Sequence, residues 1–414
     1  MIFQVFPSLD QHFSDPVRVL LKRWSVAFFS DLPQKSASEL SRRLLEGCEP
    51  AQIICASPVL SKLSQVLARD SRLGPEIREE LQKLESSTPR GSYRALRKKV
   101  ASRFPSSCRL GSALAEGSLA VVFPVRYGGR DGVAKILKPG IQEQLLDELR
   151  SLESSMKFLE SEARKVGLPQ LNYAGIVAQV REALAGELDL VRERRNLERA
   201  RDLFDLTRVA IPEPWSDSDE QVLVMDRLYG QPLQPEHYRE AVVELLVKPL
   251  FNSGRDSLFH GDLHGGNLMS CSDGRIGVLD WGLCLDLSPT QRSQISRLTS
   301  AILFGRTGLA VKTLDDIGIQ PGRPQLKGTL AQKLDSLLDG CRGAIPAWLI
   351  VLRKTLHQLE GVLEPSALEQ TVLVEGLQQL LLEWPFRFFV RPGRRDIFGS
   401  HLSTQDLWSL VLPV

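Results

Sequence analysis

The spacing of apolar residues divides the chain into regions, and the first of these is helical. Within residues 1–110, apolar side chains recur at steps of three and four, as at Ile77, Leu81 and Leu84, which predicts an N-terminal helical extension. Lys62 and Gln65 lie three positions apart in this region. They therefore share one face of a predicted helix.

The pattern changes near residue 111, where apolar and β-branched residues form short continuous stretches. Residues 119–125 and 133–137 are two such stretches, and residues 128–132 between them have the composition of a turn. This arrangement predicts an antiparallel hairpin. Pro139 and Gly140 end the hairpin, and a long amphipathic helix is predicted to follow them.

The rest of the chain is mostly helical in its periodicity. A second helical stretch is predicted over residues 173–204 and short strands over 221–225 and 274–279, and helical spacing continues from there to the end. Strands followed by a mostly helical half predict an α+β fold with two lobes. The predicted regions are a helical extension at 1–110, a strand-rich lobe with a helical insert at 111–228, and a mostly helical lobe at 229–414.

Composition and charge narrow the class of partner. The 414 residues include 52 basic and 50 acidic side chains, and 43% of the chain is apolar. This content can build a sizeable core over two or three compact units. The balanced charge is unlike that of a disordered polyelectrolyte or of a protein that binds nucleic acid by bulk charge. We therefore expect no nucleic-acid partner.

Cysteine usage and apolar run length indicate the compartment. The six cysteines are dispersed and form no C-x-x-C pair, which fits a reducing environment better than a disulfide framework or a zinc ribbon. No stretch approaches the roughly 18 consecutive apolar residues of a spanning helix. The first fifteen residues contain Asp10 and Asp15 but no arginine, unlike a secretory signal or a transit peptide. We expect a cytoplasmic or membrane-peripheral protein.

The densest polar cluster is the sequence H-G-D-L-H-G-G-N at residues 260–267. Asp280 follows thirteen residues after Asn267, at the end of a predicted strand, so a short hairpin is expected to bring the two loops together. Phosphoryl transfer depends mainly on positioning and charge neutralisation. Asp262 can orient or deprotonate an acceptor hydroxyl, and Asn267 and Asp280 are oxygen ligands suited to Mg²⁺. His260 is expected to position the Asp262 backbone, and His264 to hydrogen-bond within the loop.

Lys135 adds a cation to this set. It lies in V-A-K-I on the second strand of the predicted hairpin, where kinases place the lysine that holds nucleotide phosphates. A strand lysine alone is more often a solvated edge charge, and H-x-D-x-x-x-x-N also occurs by accident in unrelated loops. The ordered set V-A-K, H-G-D-x-x-x-x-N and D-W-G is far more specific, and it predicts a kinase-like site for ATP and Mg²⁺.

With these motifs the sequence resembles the UbiB (AarF-like) atypical kinases, a family associated with isoprenoid quinone biosynthesis, over roughly residues 55–365. The resemblance implies a protein-kinase-like fold whose N-terminal helical extension covers the cleft. It also implies an ATP-dependent phosphotransferase or ATPase that works with proteins of prenyl-lipid or quinone biosynthesis. The segments that carry it are K-L-S-Q at 62–65, A-E-G-S at 115–118, A-K-I-L-K-P-G at 134–140, E-L-D at 187–189, V-M-D at 224–226 and E-G-V at 360–362.

The resemblance also implies a role for each matching residue. Glu187 would pair with Lys135, as the glutamate of helix αC does in protein kinases, and Asp189 would lie near the phosphates. Lys62 and Gln65 would enter the active site from the covering helix and exclude protein substrates, although a solvated helix face would explain them without the resemblance. The residues left to contact the nucleotide would be Ala115, Glu116, Gly117 and Ser118 in the phosphate loop and Met225 at the hinge.

The chain departs from the family pattern at several positions. It has no G-x-G-x-x-G in residues 111–123, so the backbone N–H groups of residues 116–119 are expected to hold the phosphates. Glu116 stands where the family has alanine, and a carboxylate there would repel phosphate unless it points outward or meets metal. Ser64 replaces a glycine, and Asp226 replaces the more common glutamate.

Three other functions fit part of the pattern. H-G-D-L-H and D-W-G also resemble small-molecule kinases of the choline and aminoglycoside kinase type, whose acceptor is a soluble metabolite. A nucleotide-sensing pseudokinase with little turnover would keep the same residues. G-D-L-H-G at 261–265 matches binuclear metallophosphoesterases, but that fold needs further G-D-x-x-D-R-G and G-N-H strings that are absent, and six histidines are too few for its ligand set.

Two segments have the composition of a membrane surface contact. Residues 87–104 contain six basic residues and no acidic one, which can attract anionic lipid. Residues 384–395 interleave aromatic residues with arginines, as interfacial segments do. A solvated helix or a segment packed on its own lobe would give the same composition. The residues in question are Trp384, Phe386, Phe388 and Phe389 with Arg387, Arg391, Arg394 and Arg395.

Overall fold

The computed structural model describes residues 15–46, 57–68, 73–74, 76–77, 81, 93–101, 108–167, 171, 173–251, 256–322, 324–395 and 397–411. Most of the helix predicted around residues 77–84 and half of the basic segment 87–104 lie outside these ranges. The chain divides into two compact units, residues 1–191 with 215–227 and residues 192–214 with 228–414. Both contain helices and strands, which agrees with the α+β class.

Helices make up much of the described part of the first unit. Ile141–Ala163 begins directly after Gly140, whose φ of 71° is left-handed, so the predicted stop at Pro139 and Gly140 is confirmed. The helices are α1 (Asp15–Ser30), α2 (Gln34–Leu45), α3 (Pro58–Ala68), α4 (Arg94–Ala101), α5 (Ile141–Ala163) and α6 (Tyr173–Leu188).

The first unit also contains an antiparallel sheet in the order β1-β3-β4-β6, with β2 paired to β3. The predicted hairpin is confirmed: β3 and β4 pair along their full length, and Gly128 and Gly129 form the turn with φ of 60° and 82°. Two positive φ values in a two-residue turn match the twist of the strands and favour glycine. The strands are β1 (Arg109–Leu110), β2 (Ala115–Glu116), β3 (Ala120–Tyr127), β4 (Arg130–Leu137) and β6 (Val222–Asp226).

One face of this sheet forms a hydrophobic core, in which Val121, Phe123, Ala134 and Ile136 are buried. Successive side chains of a strand point to opposite faces. Lys135, between Ala134 and Ile136, therefore points to the other face of the sheet, in the central strand and in register with Val122 of β3 and Leu223 of β6.

A buried carboxylate fastens α3 to α5. Glu148 of α5 is fully buried, and its Oε2 accepts hydrogen bonds from the Ser57 hydroxyl (2.6 Å) and the Val59 N–H (3.2 Å) at the start of α3. The Ser57 hydroxyl also accepts from the Leu60 N–H, so it caps the helix. Burial raises the pKa of Glu148, against the lowering effect of these hydrogen bonds. The position of the helix that carries Lys62 is thus set by a specific polar contact.

The second unit contains a sheet in the order β5-β10-β9-β7 and a two-stranded ladder of β8 and β11. Helices make up most of the remainder, and a π-helical turn, Val243–Val247, lies between α8 and α9. The strands are β5 (Val209–Ala210), β7 (Gly230–Pro232), β8 (Leu258–His260), β9 (Leu268–Cys271), β10 (Ile276–Val278) and β11 (Cys284–Asp286). The helices are α7 (Leu190–Leu203), α8 (Tyr238–Val242), α9 (Lys248–Phe251), α10 (Pro289–Leu303), α11 (Thr307–Asp315), α12 (Leu330–Leu338), α13 (Ala347–Glu360), α14 (Pro365–Arg387) and α15 (Thr404–Val411).

Two predicted boundaries differ from the structure. The helical stretch predicted over 173–204 is interrupted at Asp189, so that α6 and α7 are separate helices. Residues 192–214 group with the second unit although the predicted lobe 111–228 included them. The reason is packing: Asn196 Nδ2 donates to the Trp281 carbonyl oxygen at 2.7 Å, Phe204 packs edge-on against Trp281, and β5 pairs with β10.

Within the described part of the chain, no helix combines the length and the apolar character needed to span a membrane.

Candidate active site

Two antiparallel strand pairs of the second unit bring the predicted catalytic and metal loops together. His260 at the end of β8 pairs with Cys284 of β11, and Leu268 of β9 pairs with Val278 of β10. One residue beyond the β9–β10 pairing, the Leu279 N–H donates to the Asn267 carbonyl oxygen at 2.9 Å. Asn267 and Asp280 therefore lie beside each other at one end of the strands, as the spacing predicted.

His260 joins the two loops. It is fully buried, its Nδ1 accepts a hydrogen bond from the Asp262 N–H (3.1 Å), and its Nε2 lies 3.3 Å from the Leu279 carbonyl oxygen. Burial lowers the pKa of His260, so the ring is neutral and carries its proton on Nε2, the nitrogen that faces the carbonyl. The prediction that His260 positions the Asp262 backbone is confirmed.

Polar groups within the catalytic loop, residues 260–267, form hydrogen bonds with one another. His264 Nδ1 accepts a hydrogen bond from the Gly266 N–H at 3.0 Å, which confirms the role predicted for this histidine. Asn267 is buried, and its Nδ2 donates to the Asp262 carbonyl oxygen at 2.9 Å. Because the nitrogen is used in this bond, the opposite atom, Oδ1, is the one that a metal ion would meet.

Asp262 itself is bound by two side chains of α13. Lys354 Nζ lies 2.7 Å from Asp262 Oδ1, and Gln358 Nε2 donates to the same oxygen at 2.5 Å. Burial acts to raise the pKa of Asp262, but Lys354, His264 and these hydrogen bonds outweigh it and hold the pKa well below its ordinary range. Asp262 is therefore a carboxylate at neutral pH.

Asp280 has an unusual backbone conformation. Its φ is 51°, and its Oδ1 accepts a hydrogen bond from the Gly282 N–H at 3.3 Å. Aspartate tolerates the left-handed region better than most residues, and such conformations cluster at functional sites. A Cβ at Gly282 would lie 3.2 Å from Asp280 Oδ1, and the buried Trp281 donates its Nε1–H to the Val278 carbonyl oxygen. The D-W-G sequence thus holds the exposed Asp280 carboxylate at one orientation.

In the first unit, the structure pairs Glu187 with Lys62, and their side chains form an ion pair. The pairing of Glu187 with Lys135, which the family resemblance implies, stays a prediction. Helix α3 packs against α6, and this packing brings Lys62 to the C-terminal end of α6. Gln65 lies half-buried one turn further along α3, and the exposed Asp189 directly follows α6.

The predicted phosphate loop is a tight turn of the sheet. Ala115 and Glu116 form β2, and the Gly117 N–H donates to the Ala120 carbonyl oxygen at 2.8 Å. This N–H is one of the four expected to hold phosphate, and here it is used within the turn. Ser118, which follows it, is half-buried.

At the predicted hinge, Met225 is buried in β6 beside Val133. Asp226 Oδ1 accepts hydrogen bonds from Arg130 and from the Trp215 indole, both at 2.8 Å. The aspartate that replaces the family's glutamate therefore has a structural role in fastening the edge of the sheet.

Asn267 and Asp280, the predicted metal ligands, carry side-chain oxygens of the kind that Mg²⁺ prefers. The described residues contain no group of three or more His, Cys, Asp or Glu side chains that could hold a metal. Asn267 and Asp280 lie in loops that a backbone hydrogen bond from Leu279 to Asn267 brings together. Mg²⁺ at nucleotide sites is held by one or two protein ligands together with substrate phosphates and water. The donor set fits a metal that arrives with a nucleotide.

Sequence reasoning did not find Lys354 and Gln358. Both lie more than 90 residues after Asp262, on a helix whose periodicity is that of any amphipathic helix. Their spacing of four residues, which places them on one face, is the signal in the sequence, and it becomes meaningful only when the helix is known to pack on the loop. Glu193 is also buried, and its Oε2 lies 4.0 Å from the position that a Cβ at Gly282 would occupy.

Comparison with known proteins identifies the family. The model of the ABC1 atypical kinase-like domain matches residues 96–312, just over half of the chain. A probable protein kinase UbiB of Xylella fastidiosa is 27% identical over 354 residues, covering 74% of this chain and 63% of the relative. An uncharacterised, chloroplastic aarF domain-containing protein kinase of Arabidopsis thaliana is 34% identical over 194 residues, or 42% of this chain and 35% of the relative.

Among solved structures, the complex of Rv3197 with erythromycin from Mycobacterium tuberculosis aligns with 75% of this chain and 87% of that one, at 21% identity and a TM-score of 0.48. The chain spans less than two thirds of the length of the two sequence relatives. The extent of the family match and the names of these relatives confirm the resemblance drawn from the motifs, and with it the kinase-like α+β fold class. The chain belongs to the family of ABC1 atypical kinase-like proteins, to which the UbiB and aarF domain proteins are related.

Proposed function

We propose that this protein binds Mg-ATP and hydrolyses it or transfers its γ-phosphoryl group, in support of prenyl-lipid or quinone biosynthesis. The observation that carries the proposal is the arrangement of Asp262, Asn267 and Asp280 around the neutral His260. The three side chains project from loops that hydrogen bonds connect, so their positions are set before substrate binds. Pre-set positions and charges account for most of the catalysis of phosphoryl transfer.

Each residue has a separate task in this proposal. The ionised Asp262 accepts a hydrogen bond from the attacking hydroxyl or water and so orients it. Asn267 and Asp280 hold the metal ion, which when bound neutralises charge on the phosphate oxygens. Lys135 binds phosphate oxygens through its ammonium group.

The remaining predicted residues complete the nucleotide site in this proposal. Residues 115–118 would contact the phosphates and Met225 the nucleotide at the hinge. Asp189, Lys62 and Gln65 would lie near the phosphates. The Lys62–Glu187 ion pair holds Lys62 at the end of α6, which Asp189 directly follows, so two of these residues are on neighbouring segments.

The Asp262→Asn variant tests the enzymatic part of the proposal. Because asparagine keeps the size of the side chain but removes the charge that orients the nucleophile, we expect phosphate release from Mg-ATP to fall by about 100-fold or more. The affinity for Mg-ATP should stay within about threefold of the wild-type value, since Asp262 is not assigned to the nucleotide. Steady-state phosphate release and calorimetric titration measure the two effects.

Asp273→Asn is the matched control, because Asp273 is an exposed carboxylate of the same unit, in the turn between β9 and β10, and pairs with Arg275. A wild-type protein that binds Mg-ATP but releases phosphate no faster than Asp262→Asn would contradict the enzyme and favour the nucleotide-sensing pseudokinase. Turnover that appears only with an added metabolite hydroxyl would instead favour the small-molecule kinase.

We further propose that the C-terminal end of α14 contacts a membrane surface. Trp384, Phe388 and Phe389 are 49%, 74% and 90% exposed, and the first two pack edge-on with ring centroids 5.6 Å apart. Leu377 and Leu381 extend this exposed apolar surface along the helix at steps of three and four. Exposed aromatic rings beside cationic groups are typical of interfacial segments.

Two of the four arginines of this segment do not take part in the proposed membrane contact. Arg387 is buried and Arg395 is paired with Asp406, whereas Arg391 and Arg394 are exposed. Arg387 does not reach the surface, because the packing of the chain end against α14 encloses it.

Vesicle co-sedimentation tests this contact. We expect the protein to pellet with phosphatidylserine-containing vesicles. The Phe388→Ser/Phe389→Ser variant should bind about tenfold more weakly, since it lacks two exposed rings that would enter the lipid. Phe304→Ser, at an exposed phenylalanine after α10, is the control and should bind like the wild type. Absence of the wild-type protein from the pellet even at high anionic lipid content would contradict the contact.

A further inference from the structure

Helix α13 packs tightly against the catalytic loop at Gly261. A Cβ at Gly261 would lie 2.6 Å from Val351 Cγ1 of α13, a distance that no side chain at that position can accommodate without a shift. Gly261 therefore permits the loop to approach the helix directly. Lys354 and Gln358, one and two turns further along α13, both bind Asp262 Oδ1.

Helix α13 is itself held firmly in place. Asp335 of α12 accepts from Arg353 Nε at 2.5 Å and lies 2.9 Å from His357 Nε2. At the end of α13, Glu360 accepts hydrogen bonds from the Thr329 hydroxyl and the Ala331 N–H at the start of α12. Residues 353, 357 and 360 thus fasten the helix on one side, while 354 and 358 reach the catalytic loop.

The charges of the loop show what Lys354 adds. Residues 260–267 contain Asp262 and no lysine or arginine. In the described part of the second unit, Lys354 is the cation that the structure pairs with Asp262.

We propose that α13 is part of the catalytic apparatus: Lys354 and Gln358 are positioning residues that bind Oδ1 of Asp262 and so direct its second oxygen, Oδ2, towards the acceptor. This inference deepens the proposed phosphoryl transfer and depends on it. Because both side chains bind Oδ1, rotation of the carboxylate is restricted, and Oδ2 is directed to the side away from α13.

Lys354 and Gln358 assist the transfer of the γ-phosphoryl group of ATP to the acceptor. The oxygen of the acceptor hydroxyl or water forms a bond to the γ-phosphorus while the bond from that phosphorus to the β,γ-bridging oxygen breaks. The bridging oxygen keeps the electron pair and leaves as part of ADP. The proton of the acceptor is released to solvent by way of Asp262 Oδ2.

Steady-state kinetics of Lys354 variants of the full chain test the proposal. We expect Lys354→Met to lower kcat for Mg-ATP by about 100-fold with KM for Mg-ATP within about threefold of wild type, since the lost interaction acts only in the transition state. Lys354→Arg, which keeps the charge, should recover kcat to within about tenfold of wild type. Gln358→Leu should lose about tenfold, since only orientation is affected.

The matched control is Lys333→Met. Lys333 forms a comparable ion pair with Glu369 at 3.0 Å, and its side chain is 16% exposed against 20% for Lys354. If the effect of Lys354 were only structural, both variants would lower activity and the melting midpoint alike. We expect the control to keep wild-type kcat.

A double-mutant cycle separates action through Asp262 from an independent effect. Lys354→Met combined with Asp262→Asn should be no slower than Asp262→Asn alone, because residues that act as one unit are not additive. Additive losses would overturn the positioning role. A Lys354→Met variant whose kcat is within about threefold of wild type would also overturn it, since ordinary surface changes have effects of that size. If Lys354→Met does not fold, Lys354→Arg and Gln358→Leu carry the test, and wild-type kcat in Gln358→Leu would overturn the proposal.

The outcomes also distinguish this inference from the proposed function. A wild-type protein without turnover overturns both. Turnover in the wild type that is lost in Asp262→Asn but kept in the Lys354 and Gln358 variants overturns the role of α13 and leaves the phosphotransfer assignment standing.

Discussion

The Asp280→Asn variant is expected to bind Mg-ATP at least about 100-fold more weakly than the wild type. Mutation of a residue that only hydrogen-bonds a metal ligand typically lowers metal affinity by about 10- to 100-fold, and loss of the charge on a ligand itself should lower it further. Asparagine tolerates the φ of 51° at this position as aspartate does. Its side-chain oxygen can also keep the hydrogen bond from the Gly282 N–H. The variant should therefore fold normally and lose the negative charge that the metal requires.

Calorimetric titration with ATP in the presence of Mg²⁺ and in the presence of EDTA measures the effect. The wild type should gain affinity when Mg²⁺ is present, whereas Asp280→Asn should bind ATP equally weakly in both conditions. Asp273→Asn, which removes an exposed carboxylate from the same hairpin, should behave like the wild type. Undiminished Mg-ATP affinity in Asp280→Asn would refute the assignment of Asp280 as a metal ligand.

The largest effect on stability is expected at Arg387. Its guanidinium is buried and makes hydrogen bonds to Glu383 (2.5 Å), the Ser400 hydroxyl (2.9 Å) and the Leu402 carbonyl oxygen (3.0 Å), and it lies 4.0 Å from the centre of the Phe398 ring. Arg387→Ala would leave Glu383 buried without its cation. We expect the free energy of unfolding to fall by about 3–5 kcal/mol.

Urea unfolding followed by circular dichroism measures this loss. Arg391→Ala, which removes an exposed arginine four residues away, should change the free energy of unfolding by no more than about 0.5 kcal/mol. Replacing both partners, as Arg387→Met/Glu383→Met, should be less harmful than Arg387→Ala, because no charge is then buried alone. A loss in Arg387→Ala no larger than in Arg391→Ala would show that the network does not stabilise the fold.

Local patterns in the sequence were sufficient for the elements that depend on neighbouring residues. The β3–β4 hairpin was predictable because the turn glycines, with their positive φ, lie between two apolar stretches. The meeting of Asp262, Asn267 and Asp280 was also predictable, since only eighteen residues separate the first from the last and a short hairpin leaves them few alternatives.

The ion pairs that join distant segments were not predictable in the same way. Lys62 and Glu187 are 125 positions apart, and each was assigned a role without the other as its partner. Arg387 has the composition of a surface residue next to aromatic side chains, yet the chain end encloses it. Nothing near these residues in the sequence distinguishes a buried arginine from an exposed one.

The sequence by itself determined the α+β class, the family and the order of the chemical motifs, because apolar periodicity, turn composition and motif spacing are local properties. Only the tertiary structure showed that Glu187 meets Lys62, that Gly261 makes room for α13 and that Lys354 and Gln358 bind the central aspartate. Long-range contacts of this kind depend on how whole helices pack, and packing is a sum over many side chains that no single stretch of sequence records.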